Sequence, residues 1–170
     1  LVLEEGRFAP DTYNVAYKIR SSHLLQVMRT KQDEILQNAW DTRKMGLPLQ
    51  DKSELLILAS IIEKEAANIS EMPKVASVFL NRLKIGMRLQ SDPTVIYGLD
   101  LGNIAKRALI KKSDLKKSNS YNTYRISGLP SSPICNPSKS AITAAANPVL
   151  SKFFYFVMSG TGQHIFAETF

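Results

Sequence analysis

A chain of 170 residues with 44% hydrophobic and 22% charged side chains suits one domain with a sizeable core and excludes a disordered chain. No apolar run reaches the roughly 20 residues that cross a bilayer as a helix. The net charge of +7 admits nucleic acid, an anionic membrane surface or an acidic polymer as partner, and neither zinc-finger spacing nor an aromatic RNA-binding signature supports the first.

Glu5 to Tyr17 reads as an irregular lead-in, with Pro10 and Asp11 favouring a turn. Ser21 or Ser22 can cap a long helix through Leu24, Leu25, Met28, Ile35, Leu36, Ala39 and Trp40, which Gly46 and Pro48 end. Trp40 has the surface to stack on a sugar, but a lone Trp on an apolar helical face is expected in the core. Asp51 and Glu54 form a capping pair for a helix entering at Lys52. From there Leu55, Leu58, Ala59, Ile62, Ala66 and Ile69 keep the spacing of one buried face.

This second helix carries two carboxylates, Glu63 and Glu65. With successive residues turning by about 100°, Glu65 falls on the shoulder of the apolar stripe between Leu58 and Ile61. Glu63 points to the other side. A carboxyl beside branched aliphatics is poorly solvated, so its pKa rises and it can stay protonated near neutral pH. A general acid needs that property. Against it stands the ordinary reading of an E-K-E triplet as a solvated helix face. Spacing alone leaves the two open.

A new helix starts at Ser70 and Pro73 and runs through Phe79 and Leu83 to Gly86. Asn81 and Arg82 read as buried polar scaffolding. Asp92 followed by Pro93 has the form of a cap and first helical residue, predicting a short helix over Pro93–Tyr97 with Asp92 as its cap. Gln90, Ser91 and Asp92 then sit in a turn that can face a cleft, and the Gln90 amide suits an N-acetyl group. The basic segment Leu101–Ser120, with Lys106, Arg107, Lys111, Lys112, Lys116 and Lys117, reads as partly helical and solvated.

Tyr121, Asn122 and Tyr124 offer the flat rings and amides of a carbohydrate cleft, or equally half-buried packing. Asn136 and Pro137 cap a helix through Ala141, Ile142 and Ala145 that closes at Pro148. The tail from Lys152 to Phe170 alternates around a glycine-bearing turn and reads as a β-hairpin. His164 has the chemistry of a proton shuttle, but a strand histidine is expected to be structural, and no second histidine nearby makes a metal site. The single cysteine, Cys135, excludes an intrachain disulfide in this sequence and by itself makes no zinc site. There are no repeats and no glycine-rich phosphate loop, so no cofactor is expected.

ASIIEKEA, KVASVFLNRLKIGMRLQSDPTVIYGL, YNTYRISGLP and SPICNP occur in this order, and with them the chain resembles the endolytic murein transglycosylases, the MltG or YceG-like family. The resemblance runs from EGRFAPDTY at Glu5–Tyr13 to the YFV and HIF segments. It implies that Glu65 is the catalytic acid/base. It also draws Gln90, Ser91, Tyr97, Tyr121, Asn122 and Tyr124 together as the expected substrate-binding set. Where the family often reads SPYNTY and GLPPGPI, this chain has Ser120, Ser131 and Ser132, which bears on the loop's rigidity rather than on the glutamate.

The expected fold is α+β and mainly helical, with lysozyme-like catalytic helices and a small β-hairpin. The chain, beginning at Leu1 without a signal peptide, is expected to be a single catalytic domain from a longer membrane-anchored protein. The resemblance implies cleavage of the MurNAc-β-1,4-GlcNAc bond within peptidoglycan strands, leaving 1,6-anhydroMurNAc ends, without cofactor or metal. It further implies action on nascent strands on the extracytoplasmic side of the inner membrane, beside peptidoglycan synthases and not on nucleic acid. Two alternatives stay open: a muramidase-type hydrolase with Asp92 as second carboxylate, and a non-catalytic wall-binding module with a basic face.

Overall fold

The computed structural model describes residues 4–100 and 110–170. Helix α1 spans Ser21–Asp41, α2 Lys52–Glu65, α3 Met72–Lys84, α4 Asp92–Asp100 and α5 Lys139–Ala146. Strands β1 (Tyr155–Met158) and β2 (His164–Ala167) form an antiparallel hairpin, and short 3-10 turns lie at Ile69–Glu71 and Asp114–Lys116. The fold is mainly helical with one small sheet, as the sequence predicts.

α2 is the central element and packs on α1, α3, α4 and α5. Asp51 starts it by accepting from Ser53 N (2.8 Å) and Glu54 N (3.0 Å). Glu54 reaches back to Gln50 N at 2.7 Å rather than to Asp51, so the expected capping pair is displaced by one residue. Leu55, Leu56, Leu58, Ala59, Ile61 and Ile62 are buried, and burying side chains of this kind stabilises by about 1.5–3 kcal/mol each. The buried face does not continue to Ile69. Ala66 already leaves helical geometry at φ −70°, ψ 130°, and Ile69 is 66% exposed. Asn68 explains the stop, because its side chain accepts from Glu71 N and opens a new turn.

Three other caps differ from expectation. Arg20, not a serine, occupies the N-cap position of α1, without a side-chain bond. Ser138 caps α5 by accepting from Ala141 N, whereas Asn136 accepts from Phe8 N (3.1 Å) and ties down the N-terminal strap. Asp92 is the first residue of α4, which runs on to Asp100, beyond the predicted Tyr97.

Trp40 is half-buried at the core's edge, with the Arg43 guanidinium 3.7 Å from its ring centroid. In the basic segment, Leu101–Leu109 lie outside the described residues, and Lys111, Lys112, Lys116 and Lys117 are exposed.

Asn81 and Arg82 are scaffolding, as expected. Asn81 Nδ2 donates to the Ser151 and Phe153 carbonyls, both at 3.0 Å. Arg82 Nε donates to Phe154 O (2.8 Å) and its Nη1 to Leu89 O (2.5 Å). These bonds fasten the hairpin's approach to α3, and Phe156 then meets Phe79 edge-on with centroids 5.8 Å apart. The hairpin register pairs Tyr155 with Ala167 and Met158 with His164.

Candidate active site

Glu65 is the last residue of α2 and half-buried. Ser91, 1% exposed, donates its hydroxyl to Glu65 Oε1 at 2.5 Å. Ser91 is itself fixed from behind: its N–H donates to Thr123 Oγ1 (2.9 Å), and Thr94 Oγ1 donates to its carbonyl (2.6 Å). The two threonine hydroxyls are 2.8 Å apart and both residues are buried. Buried polar groups in such a ladder hold one geometry because breaking any member leaves an unsatisfied partner.

Gln90 sets up this arrangement through its backbone. It adopts φ +51°, which costs a non-glycine residue about 1–2 kcal/mol, and its N–H donates to Thr123 O at 3.2 Å. That twist carries the chain into the buried Ser91, while the Gln90 side chain stays exposed at the rim.

The charge environment of Glu65 acts in both directions. Burial raises its pKa most, the Ser91 hydrogen bond opposes the rise, the like charge of Asp92 adds to it, and His164 and Arg82 lower it. The net direction is upward. Asp92 is exposed, and its Oδ1 accepts from Tyr124 Oη at 2.6 Å, so its carboxylate turns toward the site instead of capping α4. Burial and then the Asp92 hydrogen bond hold the Tyr124 phenol well above its ordinary pKa, so Tyr124 keeps its proton and donates it.

Glu63 has a different use. Ser138 donates both its N–H (3.0 Å) and its hydroxyl (2.6 Å) to Glu63 Oε2, clamping α2 to the start of α5. His164 is likewise tied: its Nδ1 lies 2.8 Å from Glu71 Oε2, and its N–H donates to Oε1 at 3.0 Å. These bonds hold the Glu71 carboxyl below its usual range.

The expected binding residues divide into three groups. Ser91 donates to Glu65 and Tyr124 lies within reach of its charge, while Gln90 adjoins Ser91 in the chain with its side chain exposed. Asn122 is 0% exposed, with its amide donating to Lys117 O (2.6 Å) and Leu115 O (3.2 Å) and its oxygen accepting from Tyr124 N (3.0 Å). It is scaffolding that positions Tyr124, and its side chain does not reach a cleft. Tyr97 and Tyr121 pack ring against ring at a tilt of 57°, with centroids 4.9 Å apart; Tyr121 Oη is 2.7 Å from Ser132 Oγ. Tyr97 lines a separate cavity of about 450 Å³ beside the N-terminal half of α2.

Residue-level reading missed Thr94 and Thr123, although both lie in the quoted SDPTVIY and YNTY strings. Cys135 is half-buried, and burial pushes its thiol up to about 12, which leaves it unreactive. Among the described residues no group of three His, Cys, Asp or Glu is placed to hold a metal ion, and no helix is long and apolar enough to cross a membrane.

A half-buried acid at a helix end, backed by a fixed hydroxyl, defines a candidate acid/base site on a mainly helical α+β domain. The YceG-like family model matches residues 2–170, and the chain belongs to the YceG-like family. It is 42% identical over 116 residues to a protein from Bacillus subtilis (strain 168) named endolytic murein transglycosylase, covering 68% of this chain and 31% of the relative. A protein of the same name from Streptococcus pneumoniae serotype 2 (strain D39) is 32% identical over 164 residues, covering 95% and 29%. A crystal structure of a yceG-like protein from Listeria monocytogenes superposes with a TM-score of 0.80 at 33% identity, covering 96% of this chain and 52% of that one. The chain thus spans under a third of the length of these two named relatives.

Proposed function

We propose that this domain is the catalytic part of an endolytic lytic transglycosylase acting on peptidoglycan. The observation that carries this reading is Glu65, an acid of raised pKa whose carboxylate form is met by the buried Ser91 hydroxyl. The names of the relatives supply the substrate class. Such an acid keeps its proton to higher pH than an ordinary glutamate does, and it has a hydrogen-bond donor ready for the charge that remains.

Glu65 protonates the oxygen of the MurNAc-β-1,4-GlcNAc bond as the C1–O bond breaks, and GlcNAc leaves as the alcohol. The Glu65 carboxylate then takes the proton from the MurNAc 6-hydroxyl, whose oxygen closes on C1 to give the 1,6-anhydro ring. The proton given in the first step returns in the second, so no water is consumed. The 6-hydroxyl is tethered to the same ring and loses little entropy on attack. The enzyme acts inside strands, on nascent chains outside the cytoplasmic membrane beside peptidoglycan synthases.

A second reading, hydrolysis, is favoured by one observation. Asp92 is held by Tyr124 and is close enough to Glu65 to raise its pKa. Retaining and inverting hydrolases use a second carboxylate in this way. Weighing the new termini from long glycan strands separates the two. Anhydro ends, one water lighter and without a reducing end, are expected; predominantly reducing MurNAc ends would overturn the transglycosylase reading and make Asp92 the second carboxylate.

A further inference from the structure

Arg82 on α3 is 7% exposed, yet among the described residues no carboxylate pairs with it. Its two hydrogen bonds end on neutral carbonyls, Phe154 O from Nε and Leu89 O from Nη1. A guanidinium taken out of water without a counter-ion is costly to fold. Fastening two carbonyls does not require one. Asn81, the preceding residue, binds two carbonyls of the same 151–154 segment with an uncharged amide. The charge of Arg82 therefore has a use that its two bonds do not account for.

The carbonyl held by Nη1 leads into the reacting corner. Leu89 is buried, Gln90 follows at φ +51°, and Ser91 then donates to Glu65 Oε1. Arg82 holds this turn at its entry. Thr123 holds it at its exit, through Gln90 N and Ser91 N.

Charged and titratable groups face Arg82 from several elements. Its Cζ lies 5.6 Å from the Tyr155 ring centroid of β1. Burial lowers the Arg82 pKa, and Tyr155, Tyr124 and Glu65 at the end of α2 oppose that fall, so all three lie within reach of its charge. Around Glu65 the other charges are Asp92 and His164. Asp92 has the same sign as ionised Glu65. The His164 ring of β2 is committed to Glu71 at 2.8 Å, so any positive charge on it is matched by that carboxylate. Lys64 and Arg88, the chain neighbours of Glu65 and Leu89, are exposed and screened by water. Among the described residues, Arg82 is left as the buried cation near Glu65 that no bonded carboxylate cancels.

We propose that Arg82 is a positioning residue for the reaction at Glu65, fixing the turn that carries Ser91 and supplying the counter-charge for the Glu65 carboxylate. The proposal deepens the transglycosylase reading and rests on it. Once Glu65 has protonated the glycosidic oxygen, its carboxylate must stay charged until it takes the proton of the 6-hydroxyl. Ser91 gives it one hydrogen bond in that interval. The Arg82 charge is already in place and needs no reorganisation.

The test compares Arg82→Lys and Arg82→Gln in the full-length protein. Lysine keeps the charge without the fork that reaches two carbonyls, and glutamine keeps a donor without the charge. Both should melt below the wild type. In Arg82→Gln the alkaline limb of kcat/KM should move up by about one pH unit, the low end for losing a nearby opposite charge. Its kcat should fall about tenfold, the same free energy, with KM changed far less. In Arg82→Lys the limb should stay near its wild-type position and most of kcat should return. Equal shifts in the two variants, or none in either, make Arg82 scaffolding alone and overturn the proposal. Adding Arg82→Gln to Ser91→Ala should move the limb further than Ser91→Ala alone; no further movement would mean that Arg82 only places Ser91, which overturns the counter-charge. One measurement keeps Arg82 itself and so covers an Arg82→Gln protein that does not fold. In ¹⁵N-arginine-labelled protein the Arg82 Nε–H signal, assigned by its loss in Arg82→Lys, should titrate with Glu65 and cease to do so in Glu65→Gln. A signal indifferent to Glu65 overturns the proposal. Coupled titration with reducing strand ends would defeat the transglycosylase reading alone; anhydro ends without coupling would defeat this one alone.

Discussion

Two glutamates at opposite ends of the turn after α2 are treated in opposite ways. Glu71, 8% exposed, receives two donors from one residue, the N–H and ring of His164, and its pKa falls. Glu65 is half-buried and receives one hydroxyl, and its pKa rises. Burial is the largest influence at Glu65 and outweighs its single hydroxyl donor, whereas at Glu71 the two His164 bonds outweigh burial. The balance between burial and donors decides whether the acid or the carboxylate is favoured. The well-bonded glutamate is a fastener between the 3-10 turn and β2; the under-bonded one keeps a proton it can give away.

The largest effect expected from this contrast is on turnover. Glu65→Gln keeps size and hydrogen bonding but removes the titratable proton, so kcat should fall by about 10²–10⁴-fold, the range for losing a general acid. Single-turnover cleavage of glycan strands measures it. Near-full activity with an unchanged thermal transition would remove Glu65 from the chemistry. Glu71→Gln should do the converse, lowering the melting temperature with a smaller loss of activity in the protein that remains folded. Its pH dependence has a definite sign. A depressed folded pKa contributes stability above the ordinary glutamate range and loses it as pH falls through the lowered value. The wild-type advantage over Glu71→Gln should therefore shrink on acidification in a thermal melt series.

The contrast explains how far the sequence could be read. Local signals were legible: Asp51 starting α2, Pro73 at the head of α3, glycines turning the hairpin. Each acts through neighbours in the chain. The end of α2 was not, because Ala66 and Ala67 suit a helix and only the Asn68 side chain, by bonding Glu71 N, ends it. Tertiary partners were hidden for the same reason. Nothing near Glu63 announces Ser138, and nothing near Asn122 shows that its amide will be consumed by the carbonyls of residues 115 and 117. Tyr97 shares a motif with Gln90 and Ser91, yet α4 carries it to a separate cavity, where Tyr121 from another segment leans on its ring. Short motifs name the residues of a site; helix direction decides which of them meet.

A smaller effect sharpens the comparison at Glu65 itself. Ser91 and Asp92 push its pKa in opposite directions. A general acid loses activity as pH rises through its pKa, so the alkaline limb of kcat/KM reports that value. Ser91→Ala removes the donor that favours the carboxylate, and the limb should move to higher pH. Asp92→Asn removes the like charge, and the limb should move to lower pH. Ser91→Ala should also lower kcat by about tenfold, since the carboxylate formed in the first step loses its hydrogen bond. Shifts in the same direction, or none in either variant, would mean that another group controls the limb.

The smallest effect is on stability, and it runs against intuition for a functional residue. The folded pKa of Glu65 is raised, so the folded protein holds this proton more tightly than the unfolded chain does. Such a group's stabilising contribution is fully present below the unfolded pKa and is lost as pH rises through the folded value. At neutral and alkaline pH the wild-type protein must either ionise a poorly solvated carboxyl or hold its proton against solvent. Glutamine carries no such cost and can still accept from Ser91. Glu65→Gln should therefore match the wild type in acid and melt at a higher temperature as pH rises, with the gap widening until Glu65 is fully ionised. Parallel melting curves across the whole pH series would show that the carboxyl is as well solvated as an ordinary glutamate. That result would break the comparison with Glu71, and with it the argument that this acid is held protonated for use.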